Sequence, residues 1–395
     1  MSWLRIQLWF LVLALAGFGL VMVASTTAAL GRGGDGGANL HHVTIQALAM
    51  GCGLIGAFAL SAIGVARLRA NWLVALVVAA AVGALVMVLL TGRSINGARR
   101  WIDLGPVNLQ PAELAKFALV IAAAWWFARC AESVRSITHG VILPLIGFAV
   151  LAGLVFATKD LGSVVVMFVL LGVLIAWAGA SWLYFLGLTI LIAPMGFYYS
   201  VYKESYRWER ITAFIDPFNA SGPAGYHLVQ SYLTIAGGNV SGTGLGGSAA
   251  GCRLPERHTD FIYAVICNEF GMVGGLIVAG VYLALVVTGL LIAMRARDLH
   301  GRLLAVGVTA MLGTQAFWNM LVATGAVPTK GLTLPFISYG GTSAAICIAL
   351  IGLLDAVARD QVREVRDRPM TRIGATVRSS ATLRRLRPVT EASNA

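Results

Sequence analysis

Charge is what this chain has least of. Only 12% of its 395 residues are Asp, Glu, Lys or Arg, and just 17 of those are acidic. With 58% of residues hydrophobic and a mean hydropathy of +0.82, there are too few polar side chains to cover a soluble globule. Cysteine is scarce too. Cys52, Cys130, Cys252, Cys267 and Cys347 are scattered, with no C-x-x-C pair, which excludes a disulfide framework and the common zinc spacings. They read as small packing residues. No Gly-Lys-Ser/Thr triplet follows the glycine run G-G-N-V-S-G-T-G-L-G-G-S at 237–248, so that run is not a phosphate-binding loop.

What the chain has instead is long apolar runs. Ten can be marked, at 6–28, 43–65, 71–91, 111–130, 139–157, 161–180, 182–201, 261–294, 302–326 and 336–356, each long enough to cross a bilayer as a helix. The fold class is therefore all-α, a polytopic integral membrane protein. Apolar spans keep following the first, so the first is read as an uncleaved helix. The eighth run is long enough to tilt or kink, and Gly271, Gly274 and Gly275 mark where. An even number of spans puts both termini on one side. The arginine-rich C-terminal stretch makes that side the cytoplasm. Residues 1–357 form the membrane domain with a long outer loop at about 202–260, and 358–395 form a basic tail expected to be disordered. The net charge of +12 is mostly juxtamembrane, which suits anionic lipid headgroups and not nucleic acid.

Polar residues gather in a few segments. The loop at 92–111, R-S-I-N-G-A-R-R-W-I-D-L-G-P-V-N-L-Q-P after Gly92, reads as an interfacial segment anchored by Trp101. Its Arg93, Arg99 and Arg100 run against the positive-inside trend, and binding an anionic ligand is one reason for such a cluster. Pro111 suits the first turn of the fourth helix, where Glu113 and Lys116 share a face as an ion pair or a binding pair. Asp160, after Lys159, is placed to cap the sixth helix. The adjacent His41 and His42 read as interfacial. In the long loop an aromatic and charged strip from Tyr202 to Arg210 suits a helix lying in the interface.

The segment R-L-P-E-R-H-T-D-F-I-Y-A-V-I-C-N-E-F-G, Arg253 to Gly271, runs from a crowded charged cluster straight into the eighth span. Asp260 falls at the membrane boundary, as a cap or as a catalytic group. Glu269 lies nine residues deeper, where a carboxylate is costly and usually functional. Gln315, Trp318 and Asn319 supply interhelical hydrogen-bonding groups to the ninth span. Two prolines and several glycines then break the run 325–343, a pattern tolerated where backbone lines a cavity or is buried in protein.

Four of these stretches together resemble one family. N-G-A-R-R-W-I-D-L-G with L-Q-P-A-E-L-A-K, Y-H-L-V-Q-S with G-T-G-L-G, L-P-E-R-H-T-D-F-I, and P-T-K-G-L-T-L-P-F-I-S-Y-G-G-T-S are similar to the SEDS family of bacterial cell-wall polymerases (FtsW/RodA/SpoVE). The last stretch is most like the division branch, and the R-H-T-D form is shared with the elongation branch. The chain departs from the family pattern at Lys159, where members usually carry Pro, and at Asn268, where they usually carry Glu.

The resemblance implies a ten-helix fold in the bacterial inner membrane and a peptidoglycan glycosyltransferase that polymerises lipid II and releases undecaprenyl pyrophosphate. By that likeness Asp260 is the catalytic base, and the substrate contacts are Arg100, Trp101, Glu113, Lys116, Asp160, Arg210, Glu269, Lys330 and Ser338. A single carboxylate base and direct displacement would invert the anomeric carbon. No all-protein metal site is expected; Mg2+ or Mn2+ would be held partly by the substrate. The implied partners are a class B penicillin-binding protein, which is a transpeptidase, and other divisome or elongasome membrane proteins. Two rivals remain, a lipid II flippase and a recruiting scaffold. A flippase would place its polar groups along a path through the midplane, whereas here they gather at one face.

Overall fold

The computed structural model describes residues 2–28, 36–95, 98–103, 105, 108–202, 205–220, 222–247 and 254–367. The expectations for Arg253, the connector at 29–35 and the tail from 368 lie outside the described residues. The chain opens with α1 (Ser2–Ala28), α2 (Gly36–Ile63), the single turn α3 (Val65–Leu68) and α4 (Asn71–Thr91). A small antiparallel sheet follows, with β1 (Arg93–Ile95), β2 (Ala98–Asp103) and β3 (Asn108–Leu109) in that spatial order. Next come α5 (Pro111–Arg129), α6 (Leu143–Ala157, entered through a π-helical turn at Thr138–Ile142), α7 (Leu161–Ala178) and α8 (Trp182–Phe197). The long loop holds α9 (Ser205–Ile215) and α10 (Pro223–Gly238), and α11 (Ile262–Met294), α12 (Leu299–Ala323) and α13 (Gly341–Asp367) complete the fold.

Eight of these helices are long and apolar enough to cross a membrane, and the shorter apolar α7 and α8 occupy the sixth and seventh predicted spans. The chain is a multi-pass helical membrane protein. Local chemistry sets the helix ends. Pro111 opens α5 where a missing N–H costs nothing. Asp160 accepts the Ser163 N–H at the start of α7, Asp298 accepts the Gly301 N–H at the start of α12, and Gly179, at φ 80°, ends α7. The spans of α12 and α13 are 72% and 78% buried against 22% for α4, so α12 and α13 form the centre of the bundle and α4 its lipid-facing rim.

The two ends of the bundle differ. At one, Arg5 near the start of α1 pairs with Asp355 on α13 at 2.7 Å, and Ser61 of α2 donates to the same carboxylate at 2.5 Å. At the other lie the sheet, the long loop and the start of α11.

The structure corrects three sequence expectations. The loop at 92–111 is not a plain interfacial segment but the three-stranded sheet, with Ile102 opposite Leu109 and Ile95 opposite Ala98. The tenth span begins at Gly341 and not at 336, because residues 335–340 fold into a buried turn with Phe336 at φ 68°. The same helix runs on to Asp367, past the boundary placed at 357.

The expected kink in α11 falls at Gly271, at φ 69° and ψ −175°, a region essentially confined to glycine. The glycine run docks there. Thr243 N–H donates to Asn268 O at 2.9 Å, Gly244 N–H to Glu269 O at 3.0 Å, and Met272 N–H to Asn239 O at 3.0 Å. These bonds replace helical ones lost at the break. Backbone meets backbone so closely that a Cβ on Gly271 would overlap the Val240 carbonyl, and one on Gly242 would overlap the Glu269 carbonyl. Asn268 completes the joint by donating to Thr234 O at 2.7 Å and accepting from Thr243 Oγ1 at 3.1 Å. An ionised Glu has no proton for the first of these bonds, so the departure from the family pattern has a structural purpose here. Gly271→Ala is expected to lose about 2 kcal/mol or more from strain and overlap, measured as a fall in the thermal unfolding midpoint in detergent.

Candidate active site

Three elements hold the segment 256–261 in place. Asn319, near the end of α12, donates through Nδ2 to Asp260 O at 2.9 Å and to Leu332 O at 2.7 Å. Ser338 Oγ donates to Thr259 O at 2.7 Å and accepts from Leu334 N–H at 2.8 Å, and Tyr339 N–H donates to His258 O at 2.8 Å. Gln46 of α2 grips the far side of this turn, donating to Ser338 O at 3.1 Å and accepting from Gly340 N–H at 3.2 Å. The broken run at 325–340 is thus a backbone cradle for Asp260, and its proline and glycine content is what lets it fold at that depth.

The Asp260 carboxylate faces a cleft of about 50 Å³ lined by Arg210, Pro223, His227, Thr329, Lys330 and Gly331. Gly331 forms the closest wall: a Cβ there would stand 2.8 Å from Asp260 Oδ2. The residue as a whole is half-buried, with the cleft walls crowding its carboxylate. Burial, and after it the charge of Glu256, push its pKa up to about 6, while Arg210 and Arg100 pull the other way. It is mostly ionised at pH 7 and poised to take a proton. Burial also brings Lys330 down to about 8 against the opposing pull of Asp160, with Arg207, Arg210 and Arg100 adding to the fall. Lys330 is still mostly charged at pH 7. Burial and then Arg210 hold His227 below its ordinary range, which favours its neutral form.

Around this cleft the basic residues are anchored by backbone carbonyls. Arg210 Nη1 donates to Thr329 O at 3.1 Å, and Arg100 Nη2 donates to Lys159 O at 2.7 Å. Lys159 presents that carbonyl from φ 62°, a conformation closed to proline, which accounts for its departure from the family pattern. Arg100 Nε and Thr329 Oγ1 are buried and make no hydrogen bond.

The sequence-predicted residues fall into three groups. Asp260, Arg210 and Lys330 share the cleft, and Arg100 and Asp160 act on it electrostatically. Trp101 lies beside Arg100 in β2. Asp160 also caps α7, taking Ser163 Oγ at 2.7 Å. Ser338 is buried and positions the Asp260 segment through the backbone. Glu113, Lys116 and Glu269 are not in the cleft lining. Lys116 Nζ donates to Glu113 Oε1 at 2.7 Å with both side chains buried, and Gln315 Nε2 reaches Glu113 Oε2 at 3.4 Å. Glu269 accepts from Ser25 Oγ at 2.7 Å beside the α11 kink. His227, Thr329 and Gly331 were not singled out by sequence reasoning, although His227 sits in Y-H-L-V-Q-S and the other two in P-T-K-G-L-T, stretches that carry the resemblance.

Comparison with known proteins agrees with this geometry. The FtsW/RodA/SpoVE family model, described as cell cycle protein, matches residues 6–363. The probable peptidoglycan glycosyltransferase FtsW of Alkalilimnicola ehrlichii is 36% identical over 93% of this chain and 94% of its own length. Its namesake in Aeromonas salmonicida is 41% identical over 71% of this chain and 74% of its own length. A chain from a structure on the coordination of polymerization and crosslinking by a peptidoglycan synthase complex superposes with a TM-score of 0.71 at 31% identity, covering 90% of this chain and 97% of that one. The rod shape determining protein RodA of Thermus thermophilus gives 0.64 at 29% identity, covering 90% and 96%. Sequence and fold agree along nearly the whole length: the chain belongs to the FtsW/RodA/SpoVE family.

Proposed function

We propose that this peptidoglycan glycosyltransferase polymerises lipid II in the Asp260 cleft, with Asp260 as general base. The observation that carries the reading is the placement of one carboxylate in the same cleft as Arg210 and Lys330. A sugar hydroxyl is a poor nucleophile at neutral pH. As its oxygen bonds to the anomeric carbon, its proton passes to Asp260, and the bond from that carbon to the pyrophosphate oxygen breaks. Undecaprenyl pyrophosphate leaves, and attack from the opposite face inverts the configuration. Arg210, Lys330 and Arg100 oppose the charge that grows on the leaving group. The protonated Asp260 returns its proton to water that enters the cleft once the leaving group has gone.

A divalent cation, Mg2+ or Mn2+, is part of the proposal in a limited role. Among the described residues no cluster of three or more His, Cys, Asp or Glu could hold an ion, and both Asp160 oxygens already accept hydrogen bonds. The ligands would come largely from the substrate, and the ion would supply charge neutralisation at the pyrophosphate.

Transport is the weaker reading. Glu269, the deep carboxylate that a flippase would use, is tied to Ser25 where the glycine run meets the kink. In orientation, the Asp260 end faces outward, and both termini face the cytoplasm. The test is purified protein incubated with lipid II, alone and with a class B penicillin-binding protein, with glycans resolved by length. A ladder in either arm supports polymerisation; lipid movement across vesicles without a ladder overturns it.

A single-span transpeptidase partner would gain from being tethered where new strands emerge. The lipid-facing side of α11 around Leu276 and Gly280 is the proposed contact. A Cβ on Gly275 would meet Cys267 Sγ at 2.6 Å, so Gly275 packs inside, whereas Gly280 faces open space. Gly280→Leu is expected to lower co-purification with the partner at unchanged thermal stability, and Gly275→Leu to lower stability first. Equal co-purification of the Gly280→Leu variant and the native protein would move the interface to another face.

A further inference from the structure

A large apolar cavity lies at the end of the bundle where α4 begins, α5 ends and α6 begins. It has a volume of about 790 Å³ and opens between these three helices, with Val78 and Val82 of α4, Leu119 of α5 and Phe148 of α6 among its walls. Along α4 it extends from Asn71 to Val82. Eleven helical rises of about 1.5 Å make roughly 16 Å, half of a hydrocarbon core of about 30 Å. Its depth is one leaflet.

The mouth is not apolar. Arg129 Nη1 donates to Asn71 Oδ1 at 2.6 Å, Trp125 Nε1 donates to the same oxygen at 3.2 Å, and the guanidinium lies 5.4 Å from the centre of the Trp125 ring. The guanidinium is thus fixed at the rim by an amide and an aromatic face, and no carboxylate pairs with it among the described residues. Most of its five donors remain for a ligand. An interfacial tryptophan beside a cation above an apolar slot matches an amphiphile with an anionic head and a hydrocarbon tail.

We propose that this groove is a specific site for one anionic glycerophospholipid of the leaflet on that side, with its phosphate at Arg129 and an acyl chain along Val78 and Val82. Charge complementarity at the rim and the one-leaflet depth argue for a phospholipid. The proposal is independent of the Asp260 chemistry.

The test is native mass spectrometry of the full chain, titrated with phosphatidylglycerol, phosphatidylcholine of the same acyl chains, and undecaprenyl phosphate. One phosphatidylglycerol should bind in preference to the other two. Arg129→Ala should reduce that preference about fivefold, the worth of one basic residue near a membrane surface, and Arg129→Lys should restore part of it. Gly147, on the α6 wall with open space beside it, offers a second handle: Gly147→Phe should fill the slot and lower binding of every lipid, while Ile190→Phe on the exposed face of α8 should not. Equal binding of phosphatidylglycerol and phosphatidylcholine, preference for undecaprenyl phosphate, or an Arg129→Ala variant that binds as the native protein does would each overturn the proposal.

Discussion

Asp260→Asn is expected to cut glycan polymerisation by about 10²-fold or more, the usual worth of a positioned base, while expression and folding persist. The amide keeps the shape of the carboxylate and the backbone bond to Asn319, so what disappears is the capacity to take a proton. Stability gives an independent check on the sign. Folding raises the Asp260 pKa from its usual 3.8 to about 6, chiefly by burial, so the ionised form is disfavoured in the folded protein. That cost is absent below about pH 4 and grows as pH rises through 6. The variant should therefore unfold at the same temperature as the native protein or higher at pH 7 to 8, and should lose that advantage at pH 4. A variant that polymerises lipid II at near-native rate would remove Asp260 from the mechanism.

Lys330→Ala is expected to be the next most damaging change, lowering kcat/KM for lipid II by roughly 10²-fold, as removal of one preorganised charge stabiliser does. The pH profile separates this role from a structural one. Asp260 must be ionised and Lys330 protonated, so activity should rise through about pH 6 and fall through about pH 8, each limb following a pKa shifted mainly by burial. Lys330→Arg keeps its charge well above pH 8 and should push the falling limb to higher pH, even if it slows turnover. An alkaline limb that stays in place in Lys330→Arg would assign it to another group. A lysine whose pKa falls on folding also costs stability while charged, below about pH 8, so Lys330→Ala should not lower the unfolding midpoint at pH 7.

Several of these features were readable before the fold was known. The spans were, because a bilayer demands long apolar runs, and eight of the ten marked starts fall within about a turn of the observed helices. Asp260 stood out as a carboxylate where charge gives way to apolar sequence. What escaped reading depends on distant partners. Nothing local says that residues 239–244 bond to 268–272, or that Asn319 grips two carbonyls, one of them Asp260's. The strands at 93–109 are too short and polar for alternation to show. The extension of α13 to Asp367 escaped because A-V-A-R-D-Q-V-R-E-V-R-D is polar, and a helix leaving the membrane needs no apolar run.

The joint at Gly271 makes two stretches of chain, about thirty residues apart, into one unit of opening. Amides of Thr243 and Gly244 are held by carbonyls of α11, and the amide of Met272 is held by the loop, so neither side can expose its N–H groups to solvent without releasing the other. Under hydrogen exchange, these three amides should share one opening free energy, whereas the exposed turn at 216–219 should exchange faster and independently. A pull on the outer loop, from whatever binds there, is thereby transmitted to the upper segment of α11, which begins two residues after Asp260.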